Sequence, residues 1–205
     1  AKATEDRVYR YWDHWITDTV ANRMLLVNST TKAITDLTPT WNRPFLHSGA
    51  VDFDLSPNGS HLALCINTTA PPYRQEPNAD VYLIPTDGSG TMRNITAENR
   101  AEDAHPRFAP DGRSILFTRL TVPYTCGEVS TLWRHDLATG KSSSLTAEGE
   151  LSMAHVESAA DGSLWYTADE IGKVPVFRMK ADGTGRTVVY SQGTNSELRM
   201  RGGRI

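Results

Sequence analysis

The densest group of side chains that could take part in chemistry lies near the start of the chain. Trp12, Asp13, His14 and Trp15 are consecutive. Successive side chains of an extended strand point to opposite faces, so Trp12 and His14 would share one face and Asp13 and Trp15 the other. Aromatic rings suit surfaces that are partly apolar and partly wet. We favour packing between neighbouring sheets for this group, with contact to a channel or a partner domain as the alternative.

The other polar residues show no metal, phosphate or catalytic pattern. Histidines occur at positions 14, 47, 61, 105, 135 and 155, without the short spacings that are typical of zinc sites. The acid pairs Glu102-Asp103 and Asp169-Glu170 fall in predicted turns, where we favour solvated charge over acid and base chemistry. The stretch 201–204 is glycine-rich but follows no strand and precedes no helix, unlike a phosphate-binding loop. We expect no catalytic residue, metal or cofactor in this chain.

Two cysteines and four sequons bear on the cellular compartment. Cys65 and Cys126 are too few for a four-cysteine zinc site or a disulfide framework. We interpret them as unrelated thiols, with Cys65 packed in a strand, and a single bridge between neighbouring repeats is the alternative. Candidate N-glycosylation sequons begin at Asn28, Asn58, Asn67 and Asn94. They favour a secreted or periplasmic protein, and the sequence leaves the compartment otherwise open.

Composition and charge exclude several classes of protein. The chain has 205 residues, of which 39% are hydrophobic and 22% charged, so it resembles neither a disordered segment nor a coiled coil. Its net charge of -3 gives no broad basic surface for nucleic acid. No apolar run approaches the roughly 18 residues of a membrane-spanning helix. We therefore expect neither nucleic acid nor a membrane among its partners.

An internal repeat predicts the fold. Ser56-Pro57-Asn58-Gly59 recurs as Ala109-Pro110-Asp111-Gly112 and as Ala159-Ala160-Asp161-Gly162, and a short apolar segment follows each copy. Proline presets the second position of a tight turn, and glycine supplies the positive φ that returns the chain into the next strand. A second signature closes each unit, as Asp36-Leu37-Thr38, Asn94-Ile95-Thr96 and Ser143-Ser144-Leu145-Thr146. Units of about 50 residues with four strand-like segments are typical of propeller blades.

We therefore predict an all-β fold, a β-propeller of four-stranded antiparallel blades. Residues 1–205 form a single partial propeller domain in this interpretation. The predicted blades are 7–38, which is incomplete, then 49–96, 103–146 and 152–190, followed by a tail over 191–205. About four blades are present, which favours an incomplete ring.

The repeat resembles a known type. Residues 105–117, together with 136–141 and the closing Leu145-Thr146, resemble the TolB-type propeller repeat. The opening stretch 8–15 and the segment Asp36-Leu37-Thr38-Pro39 further resemble the propeller of prolyl oligopeptidase-family serine peptidases, which include dipeptidyl and acylaminoacyl peptidases. The similarity extends over nearly the whole chain.

The resemblance implies a role without catalysis. In this family the propeller is a lid over an α/β-hydrolase domain and restricts access to peptides. The hydrolase would carry a G-x-S-x-G nucleophile elbow, which this sequence lacks, since Gly88-Ser89-Gly90 is shorter and lies in a predicted hairpin turn. We expect the chain alone not to hydrolyse peptide bonds. One alternative is a stand-alone TolB-like propeller that binds a protein or peptide on one rim. Another is a propeller with its own active site, but no group of residues in the sequence supports it.

The family's propellers have about seven blades, so this chain would expose unpaired sheet edges. A missing remainder of the same polypeptide, a second copy of the chain, or closure as a four-bladed ring would cover them. We favour the first, because the segment Asn195 to Ile205 has no closing strand signature. The expected partners are thus an α/β-hydrolase domain of the same polypeptide or a second propeller copy, and a peptide substrate that passes through.

Replacing Trp15 tests the packing interpretation of the aromatic group. If the indole packs between blades, Trp15→Ala should lower the free energy of unfolding by about 3–5 kcal/mol, measured by urea denaturation. An unchanged stability would instead favour an exposed side chain that faces a partner.

Overall fold

The computed structural model describes residues 10–11, 14–15, 21–42, 44–45, 51–69, 78–123, 127–146 and 151–200. Two short antiparallel pairs come first, β1 (Arg10–Tyr11) with β2 (His14–Trp15) and β3 (Leu25–Val27) with β4 (Ile34–Asp36). The described residues contain no helix that could span a lipid bilayer.

Three four-stranded antiparallel sheets follow, each with its strands in chain order. Blade A consists of β5 (Phe53–Leu55), β6 (His61–Asn67), β7 (Ala79–Pro85) and β8 (Arg93–Asn94). Blade B consists of β9 (Asp103–Phe108), β10 (Ser114–Arg119), β11 (Thr131–Asp136) and β12 (Lys141–Ser144). Blade C consists of β13 (Met153–Ser158), β14 (Leu164–Ala168), β15 (Val176–Met179) and β16 (Thr187–Tyr190). The predicted all-β fold of four-stranded antiparallel blades, present as a partial ring, is confirmed.

The same tight turn joins the first two strands of every blade. Gly59, Gly112 and Gly162 have φ values of 70°, 67° and 80°, which side chains rarely allow. In each turn the side chain before the glycine accepts a hydrogen bond from the amide two residues further on, at 2.9–3.0 Å. The shared geometry explains why the repeat is visible in the sequence, since only a few residue types satisfy both conditions.

A threonine closes the leading unit and blades A and B after the fourth strand, fully buried at Thr38 and Thr96 and half-buried at Thr146. The hydroxyl of Thr96 accepts the backbone N–H of Val81 in the third strand of blade A, at 3.0 Å. In the same way, the hydroxyl of Thr146 accepts the backbone N–H of Leu132 in blade B. The hydroxyl of Thr38 accepts the backbone N–H of Met24, which directly precedes β3. The pair β3–β4, called the leading hairpin from here on, therefore corresponds to the third and fourth strands of a blade.

Three apolar layers lie between successive sheets. The first joins the leading hairpin to blade A and includes Leu37, Phe45, Leu62, Leu64, Ile66 and Ile84. The second joins blades A and B and includes Ala63, Val81, Leu83, Ile95, Phe108, Ile115 and Phe117. The third joins blades B and C and includes Leu116, Leu132, Met153, Val156, Leu164, Tyr166, Phe177 and Met179. Alternate residues of one strand thus enter different layers, because neighbouring side chains of a strand point to opposite faces.

The first strands of the blades converge on one side. β5 lies against β9, and β9 lies against β13. The backbone N–H of Phe108 donates to the carboxylate of Asp54, at 2.7 Å, which ties the edge of blade B to that of blade A. The first strands therefore form the inner wall of the fan of sheets, and the fourth strands lie at its periphery.

The closing threonine offers a test of the repeat. Thr96 is fully buried, and Thr96→Val removes the acceptor of the Val81 amide and the hydroxyl donor to the Asp103 carboxylate while keeping the side chain's shape. We expect the free energy of unfolding to fall by about 1–3 kcal/mol, the cost of an unsatisfied buried donor. Urea denaturation measures the change, with the exposed Thr184→Val as the matched control. Equal stabilities of the two variants would contradict this assignment.

Candidate functional site at the inner wall

Charged and imidazole side chains occupy equivalent places on the three inner strands. Seven residues before the turn glycine of each blade stand Asp52, His105 and His155. Five residues before it stand Asp54, Arg107 and Glu157. Asp52, Asp54, Arg107 and Glu157 line a cavity of about 400 Å³. The inner wall is therefore polar, although the sheets pack against each other through apolar layers.

A fourth segment adds to this wall. Arg199 lines the same cavity, and the backbone N–H of Met200 is bonded to the Glu157 carboxylate. Arg199 and the Met200 amide thus extend the polar contacts of the wall beyond Glu157, although residues 197–200 pair in no ladder with a described strand. The sequence predicts a tail over 191–205, since Asn195 to Ile205 has no closing strand signature.

Ion pairs connect these side chains from one sheet to the next. Asp52 accepts from Nδ1 of His105 at 2.7 Å and from Arg107 at 2.9 Å. Glu157 lies 3.7 Å from Nε of Arg107 and 3.5 Å from Arg199. Acidic and basic groups therefore alternate across blade A, blade B, blade C and the segment after it, and each pair crosses a boundary between sheets.

The environment shifts the pKa values of the carboxyl groups in different directions. Burial alone would raise the pKa of Asp52, but hydrogen bonds from His105 and Arg107 outweigh it and hold the pKa at about 2. Burial raises the pKa of Asp54 above its ordinary value, although the hydrogen bond from the Phe108 amide acts to lower it. Burial likewise raises the pKa of Glu157, although the guanidinium groups of Arg107 and Arg199 act to lower it. Burial also lowers the pKa of the His155 imidazole. Asp52 is thus firmly ionised, whereas the other two carboxyl groups hold their charge less strongly.

The two histidines of the wall have an uncommon backbone. His105 and His155 have φ values of 53° and 47°, and the pairing of each inner strand with its neighbour shifts register close to them. A bulge of this kind redirects side chains and is frequent next to functional sites. The imidazole rings lie 5.9 Å apart, so the bulges bring the histidines of blades B and C together. In the described ranges no three His, Cys, Asp or Glu side chains are grouped as metal ligands.

The aromatic group singled out in the sequence is only partly covered by the structure. Trp12 and Asp13 lie outside the described residues, and His14 and Trp15 form β2, which pairs with β1. Their assignment to packing, a channel or a partner stays a prediction.

The sequons differ in accessibility. Asn28 and Asn58 are exposed in turns, whereas Asn67 is 3% exposed and Nδ2 of Asn94 donates to Asp80 at 2.6 Å. N-glycosylation stays a prediction, and the two turn positions offer free access for it. Cys65 is a buried free thiol in β6, and Cys126 lies outside the described residues.

One sequence expectation is wrong. The sequence predicts solvated turn charge for the pair Glu102-Asp103, yet Asp103 is fully buried at the start of β9. Its carboxylate accepts from Nε of Arg119 at 2.7 Å, and this guanidinium also lies over the Trp133 ring at 4.4 Å. A buried charge requires such a partner, and the pairing across strands cannot be seen in the local sequence.

The charged inner wall was also not predicted from the sequence. No single residue of the wall indicates a site by its type alone, and the spacings of the histidines in the sequence predict no common site. The available signal was their equal distance from the turn glycine, which becomes informative once inner strands are known to lie side by side.

Stability as a function of pH tests the Asp52 pairs. Because the folded-state pKa is lower than the ordinary 3.8, ionised Asp52 stabilises the fold above that pH, and the contribution is lost as the pH falls through about 2. We expect Asp52→Asn to lower the free energy of unfolding by about 1–2 kcal/mol at pH 7 and to match the wild type near pH 2. Urea denaturation across this range measures the effect, with the exposed Asp169→Asn as control. A difference that does not change with pH would contradict the prediction.

Comparisons with known proteins add relatives and fold neighbours. No family model matches the chain. Dipeptidyl-peptidase 5 of Porphyromonas gingivalis is 28% identical over 166 residues, which cover 78% of this chain and 24% of that protein. The puromycin-hydrolyzing peptidase of Mycobacterium tuberculosis has a similar fold, with a TM-score of 0.61, 18% identity, and coverage of 84% of this chain and 27% of that one. TolB of Acinetobacter baumannii gives a TM-score of 0.62, 16% identity, and coverage of 84% and 38%.

These comparisons agree with the repeat and with the fan of blades. The chain spans about a quarter of the length of the curated relative described above. By sequence the chain is similar to dipeptidyl-peptidase 5, and its fold is similar to the β-propellers of TolB and of the puromycin-hydrolyzing peptidase.

Proposed function

We propose that this chain is the non-catalytic propeller portion of a prolyl oligopeptidase-family serine peptidase. In this proposal it supports an α/β-hydrolase domain of the same polypeptide and gates the entry of peptides. The observation that carries the proposal is the polar inner wall, where charged side chains from successive sheets surround a cavity of about 400 Å³.

The dimensions of this cavity suit a filter. Its volume lies in the range of sites that hold small molecules, about 300–1,000 Å³. A folded domain of 100 residues has a radius of gyration of about 13 Å and is far too large to enter. An extended peptide, in contrast, presents its side chains one at a time. The proposed gate therefore selects by the state of folding of the substrate rather than by its sequence.

The contacts of the wall suit a gate that opens. The inner strands of different blades belong to different sheets, and side-chain ion pairs such as Arg107–Asp52 and Arg199–Glu157 connect them. The Arg107 pairs are largely buried, whereas Arg199 is half exposed, and ion pairs next to solvent contribute on the order of 0–1 kcal/mol each. A passing peptide that offers its own carboxylate to Arg199 replaces Glu157 at little cost. The wall is thus closed by side-chain contacts, of which the outermost is weak.

Catalysis is assigned to a part of the polypeptide other than this chain. The sequence has no G-x-S-x-G elbow, and the chain corresponds to about a quarter of its curated relative. A stand-alone propeller that binds a protein or peptide on one rim is the second candidate, because the fold is also similar to TolB. Sequence similarity to dipeptidyl-peptidase 5 favours the peptidase.

An experiment on the parent polypeptide tests the proposed gate. We expect Arg107→Ala to raise the rate of cleavage of a long unstructured peptide relative to a dipeptide substrate. The ratio should increase by up to about fivefold, the factor that corresponds to about 1 kcal/mol. Arg113→Ala, which removes an exposed arginine from the turn of blade B, is the matched control and should leave the ratio unchanged. Both substrates are compared by kcat/KM.

Several outcomes would contradict the proposal. A parent reading frame without a nucleophile elbow would exclude the peptidase and leave the stand-alone propeller. An unchanged ratio in the Arg107→Ala enzyme would exclude gating at the inner wall. Turnover by the isolated 205-residue chain, abolished by a serine-directed inhibitor, would show that the chain itself is catalytic.

A further inference from the structure

We propose that His105 and His155 are two ligands of a divalent transition-metal ion of the zinc type at the inner wall, with Glu197 as the third ligand and water in the fourth position. The three residues belong to blade B, to blade C and to the segment after blade C. The proposal stands on the geometry of the wall and is independent of the proposed peptidase function.

The three proposed ligands share an uncommon backbone conformation. His105, His155 and Glu197 have φ values of 53°, 47° and 56°, in a region that non-glycine residues adopt rarely. In the described ranges only Lys32 and Ile171 also have a positive φ without being glycine, and both are exposed. Backbone of this kind is costly and is concentrated at functional sites. Its recurrence at and next to the inner wall favours a binding role for these side chains.

The two imidazoles are close enough to share one ion. Their ring centres lie 5.9 Å apart, and the ring planes are tilted by 39°. With Zn–N bonds of about 2.1 Å, two imidazoles on one tetrahedral zinc ion have ring centres roughly 5 Å apart. A small rotation about the side-chain torsions therefore brings both rings onto one ion.

Asp52 prepares His105 for this role. Its carboxylate accepts from Nδ1 of His105 at 2.7 Å, which orients the ring and leaves Nε2 for an ion. A metal-bound histidine typically donates its other ring N–H to a carboxylate in this way. No hydrogen bond between described residues engages Nε2 of His105 or either ring nitrogen of His155. The nitrogens that a metal ion requires are therefore available.

The electrostatic surroundings suit a bound cation. Burial lowers the pKa of His155, although Glu197 acts to raise it, so the imidazole is in the neutral form that binds metals. Carboxylates outnumber guanidinium groups around the rings, namely Asp52, Glu157 and Glu197 against Arg107 and Arg199. A divalent ion thus meets neutral ligands within a negatively charged environment.

Glu197 is the third ligand within reach. Its side chain is 74% exposed, and its charge acts on His155. The carboxylate lies 3.7 Å from Arg199, and no three ligands converge among the described residues as they stand. An exposed ion pair contributes little to stability, so the carboxylate leaves Arg199 for an ion at small cost. Two histidines and one glutamate, with water in the fourth position, are an established ligand set for zinc.

The spacing in the chain conceals such a site. His105 and His155 are 50 residues apart, far more than the short spacings of zinc motifs. They become neighbours because they occupy the same position in successive blades, and blades B and C lie side by side. The expectation of no metal depends on local spacing alone, which does not register a site shared between blades.

Titration of Zn²⁺ into the untagged 205-residue chain tests the site. We expect isothermal titration calorimetry near neutral pH to show one ion per chain. His105→Asn and His155→Asn should each weaken binding by at least about tenfold, and asparagine is chosen because it tolerates the left-handed backbone. His61→Asn is the matched control, because His61 lies in the turn region of blade A, bonded to Ser60, and should leave the affinity unchanged.

A further variant examines the third ligand. Glu197→Gln should weaken Zn²⁺ binding by about tenfold, because it removes the charged oxygen ligand. Asp169→Asn, which removes an exposed carboxylate elsewhere in blade C, should not change the affinity.

Four results would overturn the proposal. The first is the absence of Zn²⁺ binding at millimolar concentrations. The second is an affinity that His105→Asn and His155→Asn leave unchanged, and the third is an equal loss in His61→Asn, which would indicate unspecific binding to histidines. The fourth is an unchanged affinity in Glu197→Gln, which would contradict the three-ligand site.

A measurement on the wild-type chain covers the case in which a variant does not fold. In NMR spectra, Zn²⁺ should shift the imidazole C–H resonances of two of the six histidines and leave the others in place. The two should be His105 and His155. Shifts of every histidine, or of none, would contradict the assignment.

Discussion

Burial on both faces of each sheet is the constraint on which this structure depends. The strand His61–Asn67 has six consecutive buried residues, and Ser114–Arg119 is buried throughout. Sheets covered on both sides carry such continuous apolar runs, whereas a sheet with one wet face alternates. A blade of this kind cannot bury its surface alone. Blades A and B are stable because each lies between two neighbours, so stability belongs to the array and not to the repeat.

The same constraint explains why the inner wall is charged. Apolar layers fill the space between the sheets, but they end where the first strands approach each other, and there the surface meets solvent. The first strands belong to different sheets, so no shared ladder of backbone hydrogen bonds joins them. Arg107 connects the first strands instead, through ion pairs with Asp52 of blade A and Glu157 of blade C. The residues that stabilise the wall are therefore also the residues that a ligand at the axis would meet.

The sequence predicts what depends on local geometry. The tight turns at Gly59, Gly112 and Gly162 need particular residue types at adjacent positions, so they identified the hairpins, the blades and the fold class. Contacts between residues that are distant in the chain produce no recognisable pattern in the local sequence. The pairing of Asp103 with Arg119 and the alternation of charge along the inner wall follow from how strands and blades align in space.

The left-handed residues at the inner wall have a consequence for how its charge can vary. The conformation recurs at His105 and His155 on two inner strands and at Glu197 in the segment after blade C. The same backbone geometry therefore accommodates either an imidazole or a carboxylate. Substitutions at these places can retune the electrostatic character of the axis one repeat at a time, without a change in architecture.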